Sequence, residues 1–159
     1  MERVSFDPIL PANPKIFILG TMPGKESLRK QQYYANNRNS FWKIIYELTE
    51  TVFSENYAER MDVLKRNHIA VWDICQFGER KTSVASDIKN EEPNPINEVI
   101  EMFPSVKQIL FNGKKAEKLY RNYFSEIENI QYKTVLSTSP ANARFSFREK
   151  LNNWKTAMV

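Results

Sequence analysis

The side chains best suited to chemistry lie in one polar stretch, residues 20–42, with the sequence GTMPGKESLRKQQYYANNRNSFW. Asparagine, tyrosine, lysine and arginine dominate it, and these residue types contact phosphates and nucleobases. Gly20 and Gly24, two of only four glycines in the chain, bracket its first turn. Small residues there would let backbone N–H groups approach a ligand, although an ordinary turn after a strand has the same composition.

The second half of this stretch offers aromatic rings and amides. Tyr33 and Tyr34 are adjacent, and a tyrosine either packs in the core or stacks on a base, which contributes about 1–3 kcal/mol per base. Asn39 and Ser40 precede a helical pattern and are preferred N-cap types. Capping accounts for one of these two residues, which leaves the other polar groups for a ligand.

A second polar motif, STSPANAR at residues 137–144, follows the last predicted strand. Its hydroxyls, amide and arginine indicate either contacts with phosphate and sugar or a polar turn. Asp73 ends another predicted strand, where it would act as an acid or base or cap a helix. The single histidine, His68, and the single cysteine, Cys75, are interpreted as structural.

Composition excludes several classes of protein. The single cysteine rules out an internal disulfide and a Cys-rich zinc or iron–sulfur site, and with so little histidine no Ser-His-Asp triad can be argued. With no apolar run near 18 residues and no signal peptide, we expect no membrane span and a cytoplasmic location. The net charge of +4 and pI of about 9.1 favour a polyanionic partner, although surplus lysine explains them equally well.

Alternating elements must position these motifs. Apolar runs predict strands at residues 15–19, 69–74, 108–111 and 132–136, and helical spacing predicts helices at residues 40–49, 56–66, 95–103, 114–124 and 147–158. This order predicts a single domain over residues 1–159, an α/β/α sandwich of three layers around a mainly parallel four-stranded sheet. Residues 1–14 read as an extended lead-in. The polar residues 75–95 are interpreted as a long functional loop.

With these elements in place, the chain resembles the uracil-DNA glycosylase superfamily. It is most similar to the hypoxanthine (deoxyinosine)-DNA glycosylase branch, and next to the mismatch-specific uracil-DNA glycosylases. GTMPG at residues 20–24, YYANNRNSFWKII at 33–45 and STSPANA at 137–143 carry the resemblance, which covers nearly the whole chain.

The resemblance implies base excision from damaged DNA. Such enzymes flip a nucleotide into a pocket and cleave its N-glycosidic bond with water, through an oxocarbenium-like transition state. It also implies a monofunctional enzyme that needs no metal or organic cofactor. We expect a monomer.

The first motif departs from most of the superfamily at one position. Gly20, Thr21, Met22, Pro23 and Gly24 match the segment whose backbone helps to hold the base and the water. Many members place a catalytic asparagine or aspartate where this chain has Met22. Because a thioether neither orients water nor shares a proton, uracil cleavage by the usual route is in doubt.

The resemblance assigns further roles within the first stretch. Asn39 matches the asparagine on which the deoxyinosine branch relies, and its amide would orient the water or bind the hypoxanthine edge. Tyr34 falls where the mismatch-specific enzymes place an aromatic ring that stacks on the flipped base. Ser27 is expected to contact the phosphate backbone.

The second motif also departs from the usual pattern. Ser139 stands where a histidine or asparagine usually stabilises the departing base, and it is a weaker donor. The loop expected to enter the DNA helix where the base has left comprises Ala141, Asn142, Ala143 and Arg144, and Pro140 before it is also expected to bind DNA. Arg144, with Phe145, would fill that space or clamp a phosphate.

The leading hypothesis is therefore a glycosylase that removes hypoxanthine. A uracil or mismatch-directed glycosylase is the alternative within the same fold. The loss of the usual residue at position 22 also leaves open a catalytically silent nucleic-acid-binding module. A small-molecule hydrolase is disfavoured because no nucleophile and base form a visible pair.

Overall fold

The centre of the computed structural model, which describes residues 5–80 and 88–159, is a parallel sheet. The described strands are β1 (Ile16–Gly20), β2 (Ile69–Asp73), β3 (Cys75–Arg80), β4 (Ile88–Pro93), β5 (Gln108–Asn112) and β6 (Gln131–Val135). Four of them form the central sheet in the order β2-β1-β5-β6, with every neighbouring pair parallel. Ile18 of β1 lies opposite Val71 on one side and Leu110 on the other.

Three strands of this sheet are mostly apolar because helices cover both faces of the sheet. Nearly all residues of β1, β2 and β5 are buried, as expected for parallel strands between two layers of helices. β6 is the edge strand, and its QYKTV sequence is correspondingly more polar and more exposed. Ile9 of the lead-in forms an antiparallel bridge with Val71 and so covers part of the opposite edge.

Six helices are present in the described part of the chain: α1 (Lys25–Lys30), α2 (Phe41–Leu48), α3 (Tyr57–Arg66), α4 (Ile96–Glu101), α5 (Lys114–Tyr123) and α6 (Phe147–Ala157). α2 buries Phe41, Ile44 and Ile45 completely and packs on α3 and α6. α6 begins with a capping box between Ser146 and Glu149, which satisfies two backbone N–H groups that lack partners within the helix. Of the helices in residues 5–80 and 88–159, none has the length and apolar character to span a membrane.

The predicted architecture is confirmed, with helices around a central four-stranded parallel sheet. Each predicted strand and helix is found within two residues of its expected bounds. The interpretation of residues 75–95 as one long loop is wrong, because β3 and β4 pair there as an antiparallel hairpin. Residues 81–87 of that segment lie outside the described residues, as do residues 1–4 of the lead-in. Helix α1 was not predicted.

Candidate functional site

The loops that follow the parallel strands enclose a pocket of about 420 Å³. Its walls come from the segment after β1, the turn between β5 and α5, and the segment after β6. The carboxyl ends of parallel strands are where ligands usually bind in open α/β sheets. The volume is within the usual range for ligand pockets, about 300–1,000 Å³.

The two motifs singled out from the sequence meet in this pocket. Its lining includes most of the predicted site residues: Gly20, Thr21, Met22, Pro23, Gly24, Ser27, Tyr34, Asn39, Ser139, Pro140 and Ala141. The remaining three, Asn142, Ala143 and Arg144, lie on the same loop but do not line the pocket. The guanidinium carbon of Arg144 is 4.9 Å from the centre of the Phe145 ring, and Arg144 is exposed.

Gly20 allows two polar groups to approach the pocket floor. A Cβ atom at this position would lie 2.6 Å from Asp73 Oδ1 and 2.9 Å from the Tyr34 hydroxyl. Both distances are too short for real contacts, so any other residue would displace one of these groups. Asp73 is only 4% exposed and lines the pocket, which places a carboxylate on its wall.

Tyr34 is held in an uncommon conformation. Its φ angle is +52°, in the left-handed region that bulky residues rarely occupy and that is frequent at functional sites. One face of its ring stacks on Phe41, with 4.0 Å between centroids, and its hydroxyl accepts a hydrogen bond from Asn112 Nδ2 at 3.2 Å. Burial, reinforced by the nearby charge of Asp73, raises the pKa of the Tyr34 hydroxyl, which therefore stays neutral.

Asn112 connects the pocket's walls. Its Oδ1 accepts from the Thr138 backbone N–H at 3.0 Å, and its Nδ2 also donates to Thr138 Oγ1 at 3.0 Å. The Thr138 carbonyl in turn accepts from the backbone N–H of Ser40, at the start of α2. Since Thr138 is fully buried, this network fixes the loop of residues 137–144 against the polar stretch of residues 20–42.

Asn39 presents an amide N–H group to the pocket. Its Oδ1 accepts from the backbone N–H of Phe41 at 3.0 Å. A backbone N–H can only donate, which assigns the amide orientation and leaves Nδ2 as the group available to a ligand. The backbone N–H of Asn39 donates to the Asn36 carbonyl at 2.9 Å. Both the backbone and the side chain of Asn39 are therefore held by hydrogen bonds to neighbouring residues.

Ser27 and Ser139 serve partly to shape the loops. The Ser27 hydroxyl is buried and accepts from the backbone N–H of Ala35 at 3.2 Å, which leaves its O–H to donate. The Ser139 hydroxyl accepts from the backbone N–H of Ala141 at 3.1 Å. The Ser139 carbonyl accepts from Lys150 Nζ at 3.3 Å, and burial lowers the pKa of that lysine.

Several lining residues were not among the predicted site residues. Asn112, Gly113, Lys114, Lys115 and Thr138 line the pocket, as does Asp73, which the sequence indicates only as an acid or base or as a helix cap. The signal for Asn112 was present in the sequence, because Asn-Gly follows a predicted strand whose carboxyl end must reach the same edge of the sheet.

Four cationic side chains lie at the mouth of the pocket. Lys25, Arg38, Lys114 and Lys115 all contribute to its lining, and three of them, Lys25, Arg38 and Lys114, are exposed. Exposed cations beside a pocket attract phosphate groups. Within residues 5–80 and 88–159, no three His, Cys, Asp or Glu side chains form a group able to hold a metal ion.

Comparisons of the whole chain with known proteins point to one family. The family model described as the uracil DNA glycosylase superfamily matches residues 8–158. A protein of Methanosarcina barkeri named hypoxanthine DNA glycosylase is 37% identical, over 99% of this chain and 98% of its own length. A Methanosarcina acetivorans protein of the same name is 36% identical, over 98% and 97%. The solution NMR structure of a candidate uracil DNA glycosylase from Methanosarcina acetivorans has a TM-score of 0.79 and 34% identity, with full coverage of both chains.

Proposed function

The chain belongs to the uracil DNA glycosylase superfamily and is a DNA glycosylase, and we propose that its substrate is deoxyinosine in DNA. The reaction is hydrolysis of the N-glycosidic bond, which releases hypoxanthine and leaves an abasic sugar. The target nucleotide is flipped out of the duplex into the pocket, as for other enzymes that act on a base. The names of the two Methanosarcina relatives support this substrate.

The observation that carries the choice of a deaminated base is that an amide donor and a carboxylate both line one pocket. Asn39 and Asp73 both contribute to the lining. Hypoxanthine presents an N1–H donor that suits a carboxylate and a C6 carbonyl that suits an amide N–H. Adenine instead has a lone pair at N1, which a carboxylate repels. A pocket lined in this way therefore favours the deaminated base over the normal one.

Asn39 acts on the departing base in this proposal. Its Oδ1 is bonded to Phe41, so its remaining N–H group would donate to the purine. A positioned donor stabilises negative charge as the glycosidic bond breaks, an effect often worth two to three orders of magnitude in rate. Met22 offers no comparable group, so Asn39 supplies polar assistance that the first motif lacks.

Tyr34 holds the flipped base by stacking. Phe41 supports one face of its ring, and the ring lines the pocket. A ring fixed by packing and by a hydrogen bond from Asn112 loses little conformational freedom when the base binds. The loop of residues 137–144, with the cations at the pocket mouth, grips the strand.

The test is base release by the wild-type protein from a panel of oligonucleotides. Matched single- and double-stranded substrates would carry hypoxanthine, uracil, xanthine or adenine at one position, and the abasic sites would be counted by alkaline strand cleavage. We expect release of hypoxanthine and none of adenine. Release of uracil alone would support the uracil or mismatch-directed alternative, and binding without release on every substrate would overturn the function.

A further inference from the structure

Gly78 is the one glycine of the chain that does not line the pocket, yet it lies directly behind it. A Cβ atom at Gly78 would be 3.3 Å from Met22 Sδ and 3.8 Å from Met22 Cε. The thioether therefore rests against the bare backbone of β3. Met22 itself is 7% exposed and forms part of the pocket wall.

The start of the β3–β4 hairpin is hydrogen-bonded to the end of β1 and the residue that follows it. The backbone N–H groups of Ile74 and Cys75 donate to the carbonyls of Gly20 and Thr21, at 2.9 and 3.0 Å. The pairing of β3 with β4 shifts register on both sides of Phe77. A glycine inside a strand commonly marks such an irregularity or a close approach by another group, and here Met22 is the approaching group.

We propose that Gly78 determines the width of the base pocket by giving the Met22 side chain a recess outside it. Met22 lies between the β3 backbone on one side and the cavity on the other. The surrounding core is close-packed, so a side chain at position 78 displaces the thioether into the open volume of the cavity. The recess admits a bicyclic purine, and this inference rests on the proposed function.

The test uses a cycle of the variants Gly78→Val, Met22→Ala and the double variant. Hypoxanthine release is measured under single-turnover conditions, and affinity is measured for DNA that carries a tetrahydrofuran abasic analogue. That DNA makes the backbone contacts but places no base in the pocket. We expect Gly78→Val to lower hypoxanthine release at least about tenfold, as expected when a pocket is narrowed by a methyl-sized group. Its affinity for the abasic DNA should not change.

The double variant distinguishes narrowing from general damage. Without the Met22 thioether, valine at position 78 has nothing to push into the pocket, so the double variant should release hypoxanthine as fast as Met22→Ala alone. Unchanged release by Gly78→Val, or equal loss of release in the presence and absence of Met22, would overturn the inference while the proposed function stands. A wild-type protein that releases no hypoxanthine would instead overturn the proposed function, and the role of Gly78 with it.

Discussion

Gly20 shows how single residues shape this site. The absence of a side chain there lets the Asp73 carboxylate and the Tyr34 hydroxyl converge behind the first loop. Tyr34 in turn takes a left-handed backbone conformation, which is costly for a bulky residue and is maintained by its contacts with Phe41 and Asn112. The pocket floor is therefore organised before any ligand binds.

Replacing Gly20 with alanine should destabilise the protein. The new methyl group would lie within 3 Å of two polar oxygens, and such overpacking commonly costs about 1–3 kcal/mol. The free energy of unfolding in urea measures the effect. Gly24→Ala is the matched control, since Gly24 has a φ angle of −80°, which alanine adopts without strain. Equal stability of the two variants would contradict the crowding described at Gly20.

The sequence predicted much of the site at this scale, because motif residues that follow parallel strands must reach one edge of the sheet. It did not reveal how each side chain is used. Asn39 was expected to cap a helix or to contact a ligand, and in the structure its Oδ1 caps the α2 N-terminus while Nδ2 remains available. Whether one amide can cap the helix with its oxygen and still offer its N–H group to a ligand depends on its rotamer, which the residue type does not specify.

At the scale of elements, the strands and most helices followed from apolar spacing, whereas the hairpin did not. β4 reads IKNEEP and is mostly polar, and apart from Ile88 it lacks the β-branched and aromatic residues that mark a strand. Its order comes from main-chain pairing with β3, and the hydrogen bonds of Ile74 and Cys75 fasten the start of β3 to the first loop. Helix α1 reads KESLRK, and its single large apolar residue, Leu28, is exposed, so no apolar face marks it in the sequence.

The contact between α5 and β6 should make stability depend on pH. Glu117 of α5 accepts hydrogen bonds from Arg121 Nε at 2.9 Å and from Thr134 Oγ1 of β6 at 2.7 Å. The bond from Arg121, followed by that from Thr134, lowers the pKa of this carboxyl in the folded state. A lowered folded-state pKa contributes stability above the unfolded pKa of about 4.3, and this is lost as pH falls further.

We therefore expect Glu117→Gln to be less stable than wild type at pH 7, by less than about 1 kcal/mol because the pair is partly exposed. The difference should shrink as the pH is lowered from 7 to about 3, because the wild-type carboxyl becomes protonated as the pH falls towards and through its folded-state pKa. Urea unfolding at the two pH values measures this. Glu101→Gln, an exposed position on α4, controls for the loss of one charge. A stability gap independent of pH would contradict the proposed role of the carboxylate.

At the scale of the whole molecule, the positions of the positive charges matter more for DNA binding than the net charge does. The net charge of +4 is modest, and equal charge elsewhere would not guide DNA to the pocket. Lys114 and Lys115 lie at the carboxyl edge of the sheet beside the pocket, whereas Lys15 and Lys107 precede β1 and β5 at the opposite edge. Replacing either pair with alanine removes the same two charges, so the two double variants differ only in where the charge is lost.

Removing both lysines at the pocket edge should weaken DNA binding and its dependence on salt. For duplex DNA, the slope of log K against log salt falls by about 0.9 for each phosphate that the protein no longer neutralises. We expect Lys114→Ala/Lys115→Ala to reduce this slope by the equivalent of one to two phosphates, and Lys15→Ala/Lys107→Ala to leave it nearly unchanged. Fluorescence anisotropy with abasic-analogue duplexes across a salt series measures both. Equal slopes for the two double variants would show that DNA does not approach the pocket edge.

Asn39 is proposed to assist hypoxanthine release from within the pocket, and one comparison tests this role most directly. Single-turnover release from a deoxyinosine duplex is measured for wild type, Asn39→Ala and Asn37→Ala. Asn37 is an exposed asparagine of the same turn that does not line the pocket. We predict that Asn39→Ala loses about two to three orders of magnitude in rate, while Asn37→Ala remains close to wild type. Equal release by Asn39→Ala and wild type would contradict the role of Asn39.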